Sequence, residues 1–242
     1  MNLAVIFAGG VGSRMNSKER PKQFLEMYNK PIIIHTLEYF DNHPLIDGIV
    51  VVCVADWITY MNCLLDKFQI KKVKRVVEGG KTGQLSIFNG LLAAKELTKN
   101  ENSIVLIHDG VRPLISSKLI TDNINTVLKF GNSITCSKVK ETIVEIDDQE
   151  DIILIPDRIH SRIAKAPQCF YLNDILSAHL KAREEGIFDF IDSCTMMQYY
   201  GYKLHITDGP FDNIKITTPD DFYTMRAILE AKENAQIYGF GE

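Results

Sequence analysis

The sequence predicts an α/β fold: a mostly parallel sheet with helices on both faces, plus a protruding β-hairpin arm. Two patterns carry that expectation. Apolar runs of strand length, Leu3–Phe7, Gly48–Ala55 and Ser103–Asp109, alternate with longer amphipathic segments. Strands covered on both faces read as unbroken apolar runs, and their alternation with helices is the mark of a parallel sheet. The alternation breaks after Lys138, where two β-rich runs flank the acidic turn Asp147-Asp148-Gln149-Glu150.

Taken in order, Leu3–Phe7 is the first strand, ending in the turn Ala8-Gly9-Gly10-Val11-Gly12-Ser13. Pro31 opens the helix PIIIHTLEYF, as proline does at a first helical turn. Gly48-IVVVCVA is the second strand and WITYMNCLLDKF the helix after it; VKRVV is the third, ending at Glu78-Gly79-Gly80. SIFNGLLAAKEL is helical with Ser86 as its expected N-cap. Ser103-IVLIHD is the fourth strand, and SKLITDNINTVLKF is a helix. From Lys138 to Ile155 the chain forms a hairpin too small to bury both faces alone, so it must rest on the body or on another subunit. PQCFYL is a strand, NDILSAHLKAREEG and DSCTMMQYY are helices, KLHIT and NIKIT are late strands, and a helix begins at Pro219. No linker or repeat interrupts the chain. Residues 1–242 read as one domain, with residues 138–165 as the arm.

Composition narrows the partners. A formal net charge of −4 over 242 residues argues against general affinity for nucleic acid or anionic membranes, so a polyanionic substrate must be drawn by a local basic pocket. The five cysteines, Cys53, Cys63, Cys136, Cys169 and Cys194, include no CxxC pair and are expected as reduced, buried thiols. No secretory signal is visible, and Ile49–Ala55 is far too short to span a bilayer. The cytoplasm is the expected location.

The chemistry concentrates at strand ends, where ligands of open parallel sheets gather. Gly9, Gly10 and Gly12 expose backbone N–H groups in a turn suited to anionic oxygens. Arg14, Lys18, Arg20 and Lys22 follow, with Pro21 fixing the backbone before Lys22. The dinucleotide fingerprint fails because Met15 stands where its third glycine belongs, and Gly79-Gly80-Lys81-Thr82 fails as a P-loop because Arg75 holds the first glycine position. An ordinary tight turn explains the glycines but not the cations. A nucleoside triphosphate site explains both. Gly79-Gly80 with Ser86 is a second element able to read a base edge through backbone groups and a hydroxyl. Asp109, ending an apolar strand, reads as a loop cap or as a magnesium ligand. Mg²⁺ bound to nucleotide phosphates needs only one or two protein carboxylates, and the upstream turn favours the ligand. Arg112 suits either an acid partner or substrate, His108 a strand-end hydrogen bond, and Lys215, between Ile214 and Ile216, projects to the polar side.

Quoted in order, Ala8-Gly9-Gly10-x-Gly12-x-Arg14-Met15, Pro21-Lys22-Gln23-Phe24-Leu25, His108-Asp109-x-x-Arg112-Pro113, Thr142, Pro156-Asp157-Arg158, Ala166-Pro167-Gln168-x-Phe170 and Asp212-Asn213-Ile214-Lys215-Ile216-Thr217 resemble the cytidylyltransferases that make CDP-activated polyols. That group comprises the methylerythritol phosphate enzyme of isoprenoid synthesis and the ribitol phosphate enzymes of wall and capsule synthesis. The resemblance implies a Rossmann-like nucleotidyltransferase domain that moves CMP from CTP to a polyol phosphate with Mg²⁺ and releases pyrophosphate. Arg14 and Lys22 would hold the triphosphate, Asp109 the metal, and Lys215 would sit near the α-phosphate. Ala8, Gly80 and Ser86 would select cytosine. Thr142 and Arg158, carried on an arm exchanged within a homodimer, would hold the polyol phosphate of the neighbouring subunit, with Arg112 also on the substrate side. The isoprenoid enzymes usually read HDAARP where this chain reads HDGVRP, and often carry Arg where it has Gly83. Those departures point to an alditol phosphate such as D-ribitol 5-phosphate, with methylerythritol phosphate as the alternative. From other classes, a nicotinamide oxidoreductase would want a complete fingerprint, and a non-catalytic nucleotide sensor would have no need of Asp109 and Lys215.

Overall fold

In the computed structural model, which describes residues 1–8 and 20–238, the strands in chain order are β1 (Asn2–Ala8), β2 (Glu26–Met27), β3 (Lys30–Pro31), β4 (Gly48–Cys53), β5 (Val73–Glu78), β6 (Ile104–Asp109), β7 (Asn132–Lys138), β8 (Glu145–Ile146), β9 (Ile152–Leu154), β10 (Arg162–Tyr171) and β11 (Ile206–Asp208). The helices are α1 (Ile32–Asp41), α2 (Ile58–Lys67), α3 (Gly83–Glu96), α4 (Ser117–Phe130), α5 (Leu172–Glu184), α6 (Ser193–Tyr199) and α7 (Pro219–Tyr238). The main sheet runs β11-β7-β10-β6-β1-β4-β5. β1 pairs in parallel with β4 and β6, β5 with β4, and β11 with β7, whereas β10 is antiparallel to both of its neighbours. Side chains alternate across the sheet as strand geometry requires. Ala4, Ile6 and Ala8 of β1 join the core made with α1, α2 and α4; Leu3 and Val5 join the core made with α3, α5 and α6. Both faces are covered, which is why β1 from Leu3, β4, and β6 up to Ile107 are apolar.

Several elements differ from the sequence reading. β7 was not expected, because NSITCSK carries too many polar residues to look buried. Ile134 and Cys136 face one core while Ser133, Thr135 and Ser137 are buried on the other side. Two residues of the polar face are held by Asn123 of α4, whose Nδ2 donates to Thr135 Oγ1 at 3.0 Å and whose Oδ1 accepts from Ser133 Oγ at 2.8 Å. The late strand expected at NIKIT is irregular chain, tied to the body by the Ile216 amide donating to the Val111 carbonyl at 2.9 Å. KLHIT pairs only over Ile206–Asp208. Thr82, not Ser86, caps α3: its hydroxyl accepts from the Leu85 amide at 3.2 Å, and Ser86 lies inside the helix. All five cysteines are free, but Cys63 is exposed and Cys194 only half-buried.

The expected hairpin is present as β8 and β9 between Lys138 and Arg162. Asp147 shapes its turn, with Oδ1 accepting from the Gln149 and Asp151 amides at 2.9 and 3.0 Å. Ile146, Ile152, Ile153, Leu154, Ile155 and Ile159 are all more than half exposed. Among the described residues, no helix is long and apolar enough to cross a membrane.

Candidate active site

A cavity of about 300 Å³ opens where β1 and β6 end, walled by Phe7, Ile107, Asp109, Arg112, Lys165, Gln168, Asp192, Ser193 and Lys215 among others. Asp109 is its electrostatic centre. Arg112 Nε donates to Asp109 Oδ2 at 2.8 Å, and Lys215 Nζ lies 2.6 Å from Oδ1. Burial works against the charged carboxyl, but Lys215 and then Arg112 outweigh it and hold the pKa at about 2. The carboxylate is therefore ionised throughout the neutral range.

The geometry that brings Lys215 there is indirect. Arg112 Nη1 donates to the Asn213 carbonyl at 2.9 Å, and Asn213 Nδ2 donates to the Ala166 carbonyl at 2.7 Å. An irregular segment is thus fixed from both sides and presents Lys215 to Asp109 without being a strand. His108 behaves as expected of a strand-end residue. Its Nε2 donates to the Arg112 carbonyl at 3.1 Å, and burial lowers its pKa to about 4, so the ring is neutral.

Of the remaining expected residues, Gly9, Gly10, Gly12 and Arg14 lie outside the described residues. Ala8 ends β1, and its carbonyl accepts from Gln23 Nε2 at 2.6 Å, tying the short turn Lys22–Phe24 to the strand end. The charge of Lys22 acts on Asp221, whose Oδ2 accepts from the Thr217 and Thr218 amides at the entrance to α7. The loop at Gly80 leaves the sheet beside β4, where the Gly79 amide donates to the Cys53 carbonyl at 2.8 Å. A Cβ on Gly80 would stand 2.4 Å from Leu85 Cβ, so only glycine lets this loop press on α3. The Ser86 hydroxyl accepts from the Gly80 amide at 3.0 Å and donates to the Thr82 carbonyl at 2.9 Å; it shapes the loop. Thr142 and Arg158 are exposed on the arm, and neither lines the central cavity of its own chain. Arg158 instead borders a hollow of about 260 Å³ with Lys138 and Arg162.

The structure adds Lys165, Gln168 and Asp192 to the cavity wall. Gln168 Nε2 donates to Asp192 Oδ2 at 2.8 Å and Gln168 Oε1 accepts from the Cys194 amide at 2.9 Å, while Asp192 Oδ1 accepts from the Thr195 amide and caps α6. An Asp directly before a helical pattern is a legible cap signal. Lys165, in a strand otherwise apolar toward its end, had no comparable signal.

The family model for 2-C-methyl-D-erythritol 4-phosphate cytidylyltransferase, IspD, matches residues 2–231 of this chain. The chain belongs to the IspD family. It is a nucleotidyltransferase, and membership sets aside the nicotinamide oxidoreductase reading. The IspD-family chain is 55% identical over 239 residues to a ribitol-5-phosphate cytidylyltransferase of Streptococcus agalactiae serotype III, covering 99% of this chain and 100% of the relative. It is 38% identical over 232 residues to a 2-C-methyl-D-erythritol 4-phosphate cytidylyltransferase of Clostridium acetobutylicum, covering 95% and 98%. The crystal structure of 4-diphosphocytidyl-2C-methyl-D-erythritol synthase from Anaerococcus prevotii superposes with a TM-score of 0.81 at 29% identity, over 95% of this chain and 96% of that one.

Proposed function

We propose that this IspD-family enzyme transfers CMP from CTP to D-ribitol 5-phosphate, giving CDP-ribitol and pyrophosphate. The observation that carries the reading is the buried Asp109 carboxylate clasped by Arg112 and Lys215 at the edge of the strand-end cavity. The acceptor is argued from the HDGVRP and Gly83 departures and from 55% identity to a protein named for ribitol 5-phosphate, against 38% to one named for methylerythritol phosphate.

The attacking atom is an oxygen of the acceptor's phosphate, which is largely ionised at neutral pH. It forms a bond to the α-phosphorus as the bond to the β-phosphate's bridging oxygen breaks, and pyrophosphate leaves with the electron pair. No general base is required, in keeping with a His108 that is neutral and hydrogen-bonded to backbone. The obstacle is anion–anion repulsion, about 4 kcal/mol per unit-charge pair at ~4 Å in an effective dielectric near 20. Arg14, Lys22 and Lys215 counter it at the triphosphate, with Lys215 at the α-phosphate. Arg112 holds Asp109 and the Lys215 segment in place. Ala8 and the Gly80 loop, shaped by Ser86, border cytosine, and Gly9, Gly10 and Gly12 receive phosphate oxygens.

Asp109 fits a Mg²⁺ site of the single-carboxylate kind. Each of its oxygens faces one cation yet retains lone-pair capacity, and among the described residues no cluster of three His, Cys, Asp or Glu offers an all-protein site. Bound there, Mg²⁺ would neutralise phosphate charge, with phosphate oxygens and water as its other ligands. The exposed apolar residues of the arm support a homodimer, in which Thr142 and Arg158 of one copy reach the acceptor phosphate bound by the other.

Pyrophosphate release from CTP with a panel of D-ribitol 5-phosphate, glycerol 3-phosphate and methylerythritol 4-phosphate tests the reading. Ribitol 5-phosphate is expected to turn over fastest, and reaction with methylerythritol phosphate alone would overturn the acceptor. Lys22→Ala and Lys215→Ala should each reduce turnover by roughly 10²-fold, the scale of losing an electrostatic stabiliser.

A further inference from the structure

Most charges in the cavity wall have a counter-charge or cap: Asp109 serves Arg112 and Lys215, and Asp192 serves Gln168 and α6. Lys165 is the exception. It is buried, yet no carboxylate oxygen among the described residues lies within 4.0 Å of its ammonium. Its partners are backbone: Nζ donates to the Phe211 carbonyl at 2.8 Å and reaches the Pro210 carbonyl at 3.5 Å. Asp212, whose charge acts on Lys165, is ion-paired with Lys232 at 3.2 Å. A second cation lies against the same aromatic ring. Lys140, at the root of the arm, stands 3.8 Å from the Phe211 ring centroid, and Lys165 stands 5.0 Å from it. Burying an ammonium without a counter-ion is costly. Burial does lower the proton affinity of Lys165, and the charges of Arg112 and Lys140 lower it further.

We propose that Lys165, with Lys140 beside it, is an anion subsite that binds the phosphomonoester of the incoming polyol phosphate from within the same chain. A phosphate dianion there would meet both ammonium groups and supply the counter-charge that the wall lacks. The inference rests on the polyol-phosphate reading above.

Two measurements separate the subsite from that reading. With CTP present to fill the triphosphate site, added inorganic phosphate is expected to raise the melting temperature of the wild-type protein, and to do so much less in Lys165→Met and Lys140→Met. This readout does not depend on which acceptor turns over. In steady-state pyrophosphate release with D-ribitol 5-phosphate, Lys165→Met should raise KM for the acceptor about tenfold or more, as loss of a hydrogen bond to a charged group does. KM for CTP should stay within about twofold, and Lys165→Arg should restore most of the loss. Lys140→Met, at an exposed position, decides the matter if Lys165→Met fails to fold. A folded variant with unchanged acceptor KM and an unchanged phosphate response, or a shift confined to KM for CTP, would overturn the proposal. A wild-type enzyme that binds phosphate through Lys165 but does not use ribitol 5-phosphate would leave the subsite standing and sink the acceptor.

Discussion

Replacing Asp109 with asparagine keeps the outline of the side chain and removes its charge, which isolates the electrostatic part of the site. Arg112 is only 12% exposed, and truncating one member of such a buried pair typically costs about 3–5 kcal/mol. Lys215 is 42% exposed, so its share falls toward the surface range of about 0–1 kcal/mol. Asparagine retains one acceptor oxygen, which argues for the low end, about 3 kcal/mol in total. For a chain of this length each kcal/mol moves the melting temperature by about 2–4 °C, so thermal unfolding should begin about 6–12 °C earlier. Turnover should fall roughly 10²-fold or more. The sign with pH follows from a folded pKa of about 2 against an ordinary value of 3.8. The stabilisation is fully present above about pH 4 and lost as pH falls through 2. The gap between wild type and variant should therefore be flat from pH 5 to 9. A melting temperature within 2 °C of wild type would refute the carboxylate's role as counter-charge to Arg112 and Lys215.

Three further outcomes are expected. Gly90→Ala would drive a Cβ to 2.5 Å from Val5 Cγ1 and 2.7 Å from Val52 Cγ2, lifting α3 from the sheet at about 1–3 kcal/mol; urea titration would detect it, and an unchanged midpoint would contradict the packing. His179 is buried beside Phe88 with neither ring nitrogen bonded, and burial lowers its pKa from 6.5 to about 4. Because the unfolded chain takes up the proton first, the fold should lose about 2 kcal/mol between pH 7 and pH 5 through this residue, and His179→Leu should flatten that decline; parallel curves would remove His179 as its source. Ile153→Asp with Ile155→Asp on the arm should convert the proposed dimer to monomer in sedimentation, and a wild-type monomer would end the exchanged-arm proposal.

The parallel half of the sheet was legible because burial on both faces demands uninterrupted apolar residues, and β1 from Leu3, β4, and β6 up to Ile107 obey. β7 escaped because its buried face is polar, with Ser133 and Thr135 held by Asn123 of the preceding helix, a pairing that no strand pattern reveals. The converse error was NIKIT, whose alternation mimics a strand although its backbone is held by Arg112 and Val111. Asp109 and Arg112 were singled out because acids and bases at a strand end face the cavity in this architecture, whereas Lys215 was singled out on a strand that the structure does not form, and meets Asp109 from irregular chain. Lys165 was not, since its meaning lies in what is missing around it, and an absent counter-ion leaves no trace in one dimension. Ser86 was read as a cap and as a base reader; Thr82 has the first role, and the Ser86 hydroxyl bonds the Gly80 amide and the Thr82 carbonyl.

The guanidinium of Arg112 joins two things usually treated apart. Through Nε it steadies the acid at the strand end, and through Nη1 it steadies the backbone that delivers Lys215. Charge arrangement and chain course are consequently one mechanical unit here, so a variant at this arginine moves the cation as well as freeing the carboxylate. Substitutions at Arg112 and Asn213 should not combine as independent effects, and Lys215 owes its placement against Asp109 to a neighbour's side chain as much as to its own.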